Sequence, residues 1–121
     1  MNKILFVEDE PNLQKTISEV LVQEGYKVFG AGDGEEGLKI AKQEKPNLIL
    51  LDLILPKKDG FEVLKELKAD NDLKDIPVIV LTNLEGVGDV EKALEIGATT
   101  YLVKANYKLE DVVAKIKEIL V

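Results

Sequence analysis

A chain of 121 residues, 45% apolar and 32% charged, is long enough to bury a core without covalent staples and too apolar to remain disordered. Acidic residues outnumber basic ones, 23 to 16, for a formal charge of −7, a sign that argues against direct contact with a nucleic-acid backbone. The lack of cysteine and histidine excludes disulfides, thiol chemistry, zinc clusters, Ser-His-Asp triads and a phosphohistidine of its own. Any metal site must therefore use oxygen ligands, which suit Mg2+, Mn2+ or Ca2+.

Taken in order, the chain alternates short apolar runs with stretches of helical period. Met1-Asn2-Lys3 leads straight into the run Ile4-Leu5-Phe6-Val7, so no signal peptide is expected and the expected location is cytoplasmic. Glu8, Asp9 and Glu10 follow, then a helix with Pro11 at its first position, an apolar stripe of Leu13, Ile17, Val20 and Leu21, and Gly25 as its C-terminal cap. A weaker strand, Tyr26 to Phe29, ends at Gly30 with no functional group. Asp33 and Glu36 form a capping-box pattern before Leu38 and Ala41, and Asp59 and Glu62 repeat it before Phe61, Leu64 and Leu67.

Between those helices the run Leu48-Ile49-Leu50-Leu51 ends in Asp52, and later Val78-Ile79-Val80-Leu81 ends in Thr82. Gly86 and Gly88 are expected to make the next loop mobile, ahead of a helix carrying Val90, Ala93 and Leu94 and stopping near Gly97. The last strand, Thr100 to Val103, ends in Lys104, and the final helix carries Leu109, Val112, Val113, Ile116 and Ile119. Asp70, Asn71 and Asp72 lack the glycine and terminal glutamate of a calcium loop and read as a solvated turn. No apolar run approaches the roughly 20 residues of a membrane helix.

Strict strand–helix alternation predicts one α/β domain over residues 1–121, a flavodoxin-like, doubly wound (βα)5 fold with a parallel sheet. The three most apolar runs belong in the centre and the mixed second and fifth at the edges. That gives strand order 2-1-3-4-5, a known doubly wound arrangement.

Ligands of such sheets bind beyond the carboxyl ends of the strands, where the order reverses. Glu8, Asp9 and Asp52 are expected to converge there. Two unit charges about 4 Å apart repel by roughly 4 kcal/mol at an effective dielectric near 20, so three carboxylates call for a proton or a divalent cation among them. With Lys104 and Thr82 on the far side of Asp52, the set suits phosphoryl transfer onto an aspartate nucleophile.

The acidic cluster Val7-Glu8-Asp9-Glu10, the stretch Asp52-Leu53-Ile54-Leu55-Pro56 with Asp59-Gly60, and strand-end Thr82 and Lys104 together resemble the receiver domain of two-component response regulators. The resemblance covers essentially the whole chain. It implies that Asp52 is the phosphoacceptor, that Glu8, Asp9, Asp52 and the backbone carbonyl of Ile54 hold Mg2+ (with Mn2+ as a substitute), and that Thr82 and Lys104 assist. It further implies Thr82 and Tyr101 as switch residues and an α4-β5-α5 signalling face. The implied partners are a histidine kinase or phosphotransfer protein as donor and a downstream protein as target, with a monomer or a phosphorylation-dependent dimer. Self-catalysed phosphotransfer and slow autodephosphorylation, not turnover as an enzyme, are expected.

The sequence departs from the family pattern in three places. Ala105 follows Lys104 where proline is usual, and Asn83 follows Thr82 where a small residue is usual. Ile54 and Leu84 are apolar where a polar side chain would orient water, so a long-lived phosphorylated state is expected. Ala105 and Asn83 support the alternative of a receiver-like binding module that is never phosphorylated. An aspartyl-phosphate phosphatase is disfavoured by Ile54, which stands where such enzymes resemble an Asp-x-Asp pattern.

Overall fold

Each apolar run of the sequence is a strand. β1 (Lys3–Val7), β2 (Lys27–Ala31), β3 (Leu48–Asp52), β4 (Val78–Thr82) and β5 (Thr100–Val103) alternate with α1 (Pro11–Gln23), α2 (Gly34–Glu44), α3 (Gly60–Ala69), α4 (Val87–Ile96) and α5 (Leu109–Ile119). The strands pair in parallel in the order β2-β1-β3-β4-β5, the flavodoxin-like order expected from apolarity. This computed structural model describes residues 2–82, 87–104 and 108–120, the side chains of Thr82 and Val87 excepted. The expectations for the Thr82 hydroxyl and for Asn83, Leu84, Gly86 and Ala105 therefore lie outside the described residues.

Alternate side chains of a strand point to opposite faces, and the central strands are apolar on both. Leu5, Val7, Ile49, Leu51, Val78 and Val80 pack with Leu38 and Ala41 of α2, Val63, Leu64 and Leu67 of α3, and Ala93 of α4. Ile4, Phe6, Leu48, Leu50, Ile79 and Leu81 pack on the other face with Ile17 and Leu21 of α1 and Val112 and Ile116 of α5. Burying the sheet between two helical layers leaves the strand ends as the place where polar side chains meet solvent.

The helix starts follow their sequence signals in part. Asp33 Oδ1 accepts from the Glu36 N–H at 2.8 Å and Asp59 Oδ1 from the Glu62 N–H at 3.0 Å, the forward half of each expected box. Gly25 follows α1 with φ 98°, a conformation that side-chain-bearing residues resist.

Several expectations are corrected. The second strand begins after Tyr26 and runs to Ala31; the Tyr26 N–H instead bonds back to the Leu21 carbonyl, closing the α1 terminus. Gly88 lies within α4, not in the loop before it. Leu94 is 40% exposed. The residues of α4 that meet the core are Ala93, which is buried, and Ile96, three positions on, with Val90 half-buried; Leu94 is turned about 100° away from Ala93. The Asp70–Asp72 segment, by contrast, is the turn expected, with the Asp72 N–H bonded to Asp70 Oδ1 at 2.8 Å.

Candidate phosphoacceptor and metal site

β1 and β3 are hydrogen-bonded neighbours on either side of the order reversal. Their carboxyl ends deliver Glu8 just past β1 and Asp52 as the last residue of β3. Both are buried, whereas Asp9 is exposed at the mouth. One carboxylate oxygen from each of Glu8, Asp9 and Asp52 falls in a group spanning no more than 4.8 Å. They line an open cleft of about 480 Å3 with Glu10, Pro11, Ile54 and Lys104, room for an ion, several waters and a phosphoryl group, since each water takes roughly 30 Å3.

Lys104, one residue past β5, sends its ammonium into the cluster. Its Nζ lies 2.8 Å from Asp52 Oδ2 and 2.6 Å from Glu8 Oε1. The expectation that Lys104 stands beyond Asp52 is therefore refined: its charge sits between two of the three carboxylates. Burial alone would lower the Lys104 pKa, but the hydrogen bond to Asp52 and the close Glu8 carboxylate outweigh it and hold the group above an ordinary lysine.

Asp52 is held at both oxygens, Oδ2 by Lys104 and Oδ1 by the Ile54 N–H at 3.2 Å. The chain after it turns sharply: the Gly60 N–H returns to the Leu53 carbonyl at 2.9 Å. A Cβ at Gly60 would stand 2.4 Å from the Asp52 carbonyl oxygen, so only glycine admits this approach. Ile54 is 60% exposed at the rim, consistent with a contribution from its backbone and not its side chain.

One ammonium cannot neutralise three carboxylates, and Glu8 shows the deficit. Its Oε2 accepts from the Glu10 N–H at 3.1 Å. Its buried Oε1 has no well-directed hydrogen bond despite the nearby Lys104 Nζ. Burial pushes the Glu8 pKa up to about 7, with the paired Lys104 ammonium opposing the rise and the Asp52 charge adding to it. An under-bonded buried carboxylate beside two more is a donor set that fits a hard divalent cation.

Of the sequence-predicted residues, Glu8, Asp9, Asp52, Ile54 and Lys104 come together. Thr82 is placed by its backbone at the end of β4, opposite Val103, and Tyr101 is 40% exposed on β5, away from the cleft lining. One contributor was missed. Gln14 donates its side-chain amide to the Glu8 and Ala31 carbonyls, each at 3.0 Å. The signal was present: Gln14 precedes Ile17 by three and Leu21 by seven, on the buried stripe of α1.

Fold and cleft together define a signalling module of receiver type, with an acidic pocket at the switch point of a doubly wound sheet. The chain belongs to the response regulator receiver domain family, whose model matches residues 4–117. It is the receiver domain of a two-component response regulator, and its general role is phosphorylation-dependent signalling. It is 42% identical over 118 residues to the alkaline phosphatase synthesis transcriptional regulatory protein PhoP of Bacillus subtilis, an alignment covering 98% of this chain and 48% of that protein. The chain thus spans about half the length of the curated relatives it matches.

Among solved structures, the receiver domain of sensor histidine kinase PA1611 from Pseudomonas aeruginosa, with magnesium coordinated in its active-site cleft, superposes with TM-score 0.87 at 32% identity, covering 97% of this chain and 95% of that one. The Mn2+-bound form of response regulator Rcp1 superposes with TM-score 0.83 at 38% identity, covering 98% and 91%. Among the described residues, no helix is long and apolar enough to cross a membrane.

Proposed function

We propose that Asp52 accepts a phosphoryl group from a phosphohistidine on a partner histidine kinase or phosphotransfer protein, and that the domain signals through the face made by α4, β5 and α5. The carrying observation is the pinned, buried Asp52 carboxylate with the Lys104 ammonium at 2.8 Å and two further carboxylates beside it. Receiver domains as a family bind Mg2+ at this acidic pocket. Here Glu8, Asp9, Asp52 and the Ile54 carbonyl would hold Mg2+, or Mn2+ in its place, and the bound ion supplies charge neutralisation and an electrophilic contact for a phosphoryl oxygen.

The remaining work belongs to the chain. An Asp52 oxygen forms the new O–P bond as the P–N bond to the partner's imidazole breaks, and the leaving nitrogen keeps the electron pair. Lys104 stands where its ammonium transfers from the carboxylate to a phosphoryl oxygen as charge develops. The Ile54 N–H holds the second Asp52 oxygen and so fixes the line of attack. The domain's own chemistry is this single self-catalysed transfer and slow hydrolysis, not turnover.

Output follows from sheet continuity. Thr82 pairs in register with Val103, and Val80 with Tyr101, so a shift of Thr82 toward a phosphoryl group reaches the β5 edge directly. Exposed Tyr101 and Leu94 offer a downstream protein apolar contacts that change with that shift. Direct nucleic-acid contact by this domain is disfavoured by its charge of −7. Intact mass after incubation with Mg2+ and acetyl phosphate tests the reading. One added phosphoryl group, absent in Asp52→Ala, supports it; no adduct favours a module that binds without being phosphorylated.

A further inference from the structure

The Gln14 side chain has a geometry that the acidic cleft does not explain by itself. A side-chain amide nitrogen carries two N–H groups, and both are spent on backbone: the Glu8 carbonyl at 3.0 Å and the Ala31 carbonyl at 3.0 Å. The Ala31 carbonyl also accepts the Glu8 N–H at 2.9 Å. Glu8 is therefore tied at both ends of its backbone to the last residue of β2 and to the first turns of α1.

That anchorage matters most for the next residue. The Glu8 carbonyl belongs to the planar peptide unit whose other end is the Asp9 nitrogen. Holding the carbonyl fixes the plane from which the Asp9 side chain departs. The Glu8 side chain has anchors of its own in Glu10 and Lys104, whereas the Asp9 carboxylate stands exposed at the cleft mouth.

Gly30 completes the arrangement. A Cβ at that position would lie 2.8 Å from Gln14 Oε1 and 3.0 Å from its Cδ. Gly30 is a residue of β2, so the missing side chain there gives the amide its seat over the strand.

We propose that Gln14, seated by Gly30, is a positioning residue for the metal-binding loop: it sets the Glu8–Asp9 peptide so that the Asp9 carboxylate is pre-aimed at the cation. The proposal rests on the divalent-ion reading given above. Pre-setting the loop removes an ordering cost from ion binding, as outer-shell partners of metal ligands generally do.

The test uses the full chain and Mg2+ alone, by calorimetric titration, with amide hydrogen exchange of Asp9 measured by NMR without metal. Gln14→Met keeps the length of the side chain and loses the donors. It is expected to weaken Mg2+ affinity by about tenfold and to speed exchange at the Asp9 amide, with the far-UV spectrum unchanged. Gly30→Ala, which crowds the Gln14 amide, is expected to shift both readouts the same way by less. The double variant is expected to bind no more weakly than Gln14→Met alone, since both act through one contact. Affinity and Asp9 exchange in Gln14→Met equal to the unaltered protein, or additive losses in the double variant, overturn the proposal and leave the metal site standing. An unaltered protein without saturable uptake overturns both.

Discussion

The strands proposed to carry the chemistry and the elements proposed for output are packed very differently. All five residues of β3 are buried, as are Ile4 to Val7 of β1. On β5 only Leu102 is buried, and among the described side chains of α4 only Ala93. Asp52 and Glu8 thus stand on the stiffest part of the sheet, where a nucleophile must be held to a fraction of an ångström. Tyr101 and Leu94 stand on a thinly packed flank, where a small free-energy input is enough to shift a population.

Substitutions sharpen that contrast. Asp52→Ala removes the proposed nucleophile and is expected to abolish the phosphoryl adduct in the intact-mass assay while leaving the protein folded, since it also relieves repulsion among the carboxylates. Leu50→Ala, in the buried centre of β3, is expected to cost about 2–5 kcal/mol by urea unfolding, the range for truncating a core leucine. An effect near zero there would refute the stiff-centre picture.

The site itself makes stability depend on pH and metal. The folded-state pKa of Glu8 is raised from 4.5 to about 7. Its contribution to stability is therefore fully present below pH 4.5 and is lost as pH rises through about 7. Thermal melts in a chelator should show this decline, and Mg2+ should offset it at about pH 8 but hardly at about pH 5, because ion binding requires the ionised carboxylate. Equal stabilisation by Mg2+ at both values would contradict the assignment of Glu8 as a ligand.

The smallest effect belongs to the flank proposed for output. Leu94→Ala is expected to change stability by no more than about 0.5 kcal/mol, as for surface positions generally. Tyr101→Ala should likewise leave the phosphoryl adduct intact while weakening capture of the downstream partner. A large stability loss for Leu94→Ala would show that α4 is packed more tightly than its exposure indicates.

The pattern of apolar runs was enough to order the sheet, because a strand buried on both faces must be apolar throughout while an edge strand need not be. It was also enough to place Glu8, Asp9, Asp52 and Lys104 at one end of that sheet, since strand ends in a doubly wound fold share one rim. The inward choice of Ile96 over Leu94 was not legible: both are apolar, and only the seating of α4 against α3 and the sheet tells them apart. The limits of β2 were equally hidden, because mixed polar residues leave the register to pairing with β1.

What the one-dimensional pattern settled, then, was which elements exist, their order in the sheet and which polar groups its rim presents, because burial and periodicity are properties of local sequence. The tertiary structure decided how those groups meet: the Lys104 ammonium between Glu8 and Asp52, the under-bonded Glu8 oxygen, and the Gln14 amide reaching over Gly30 to two carbonyls. Lys104 and Asp52 are 52 positions apart and Gln14 and Ala31 17, and the distances and directions of such contacts exist only once the sheet has brought the strand ends together.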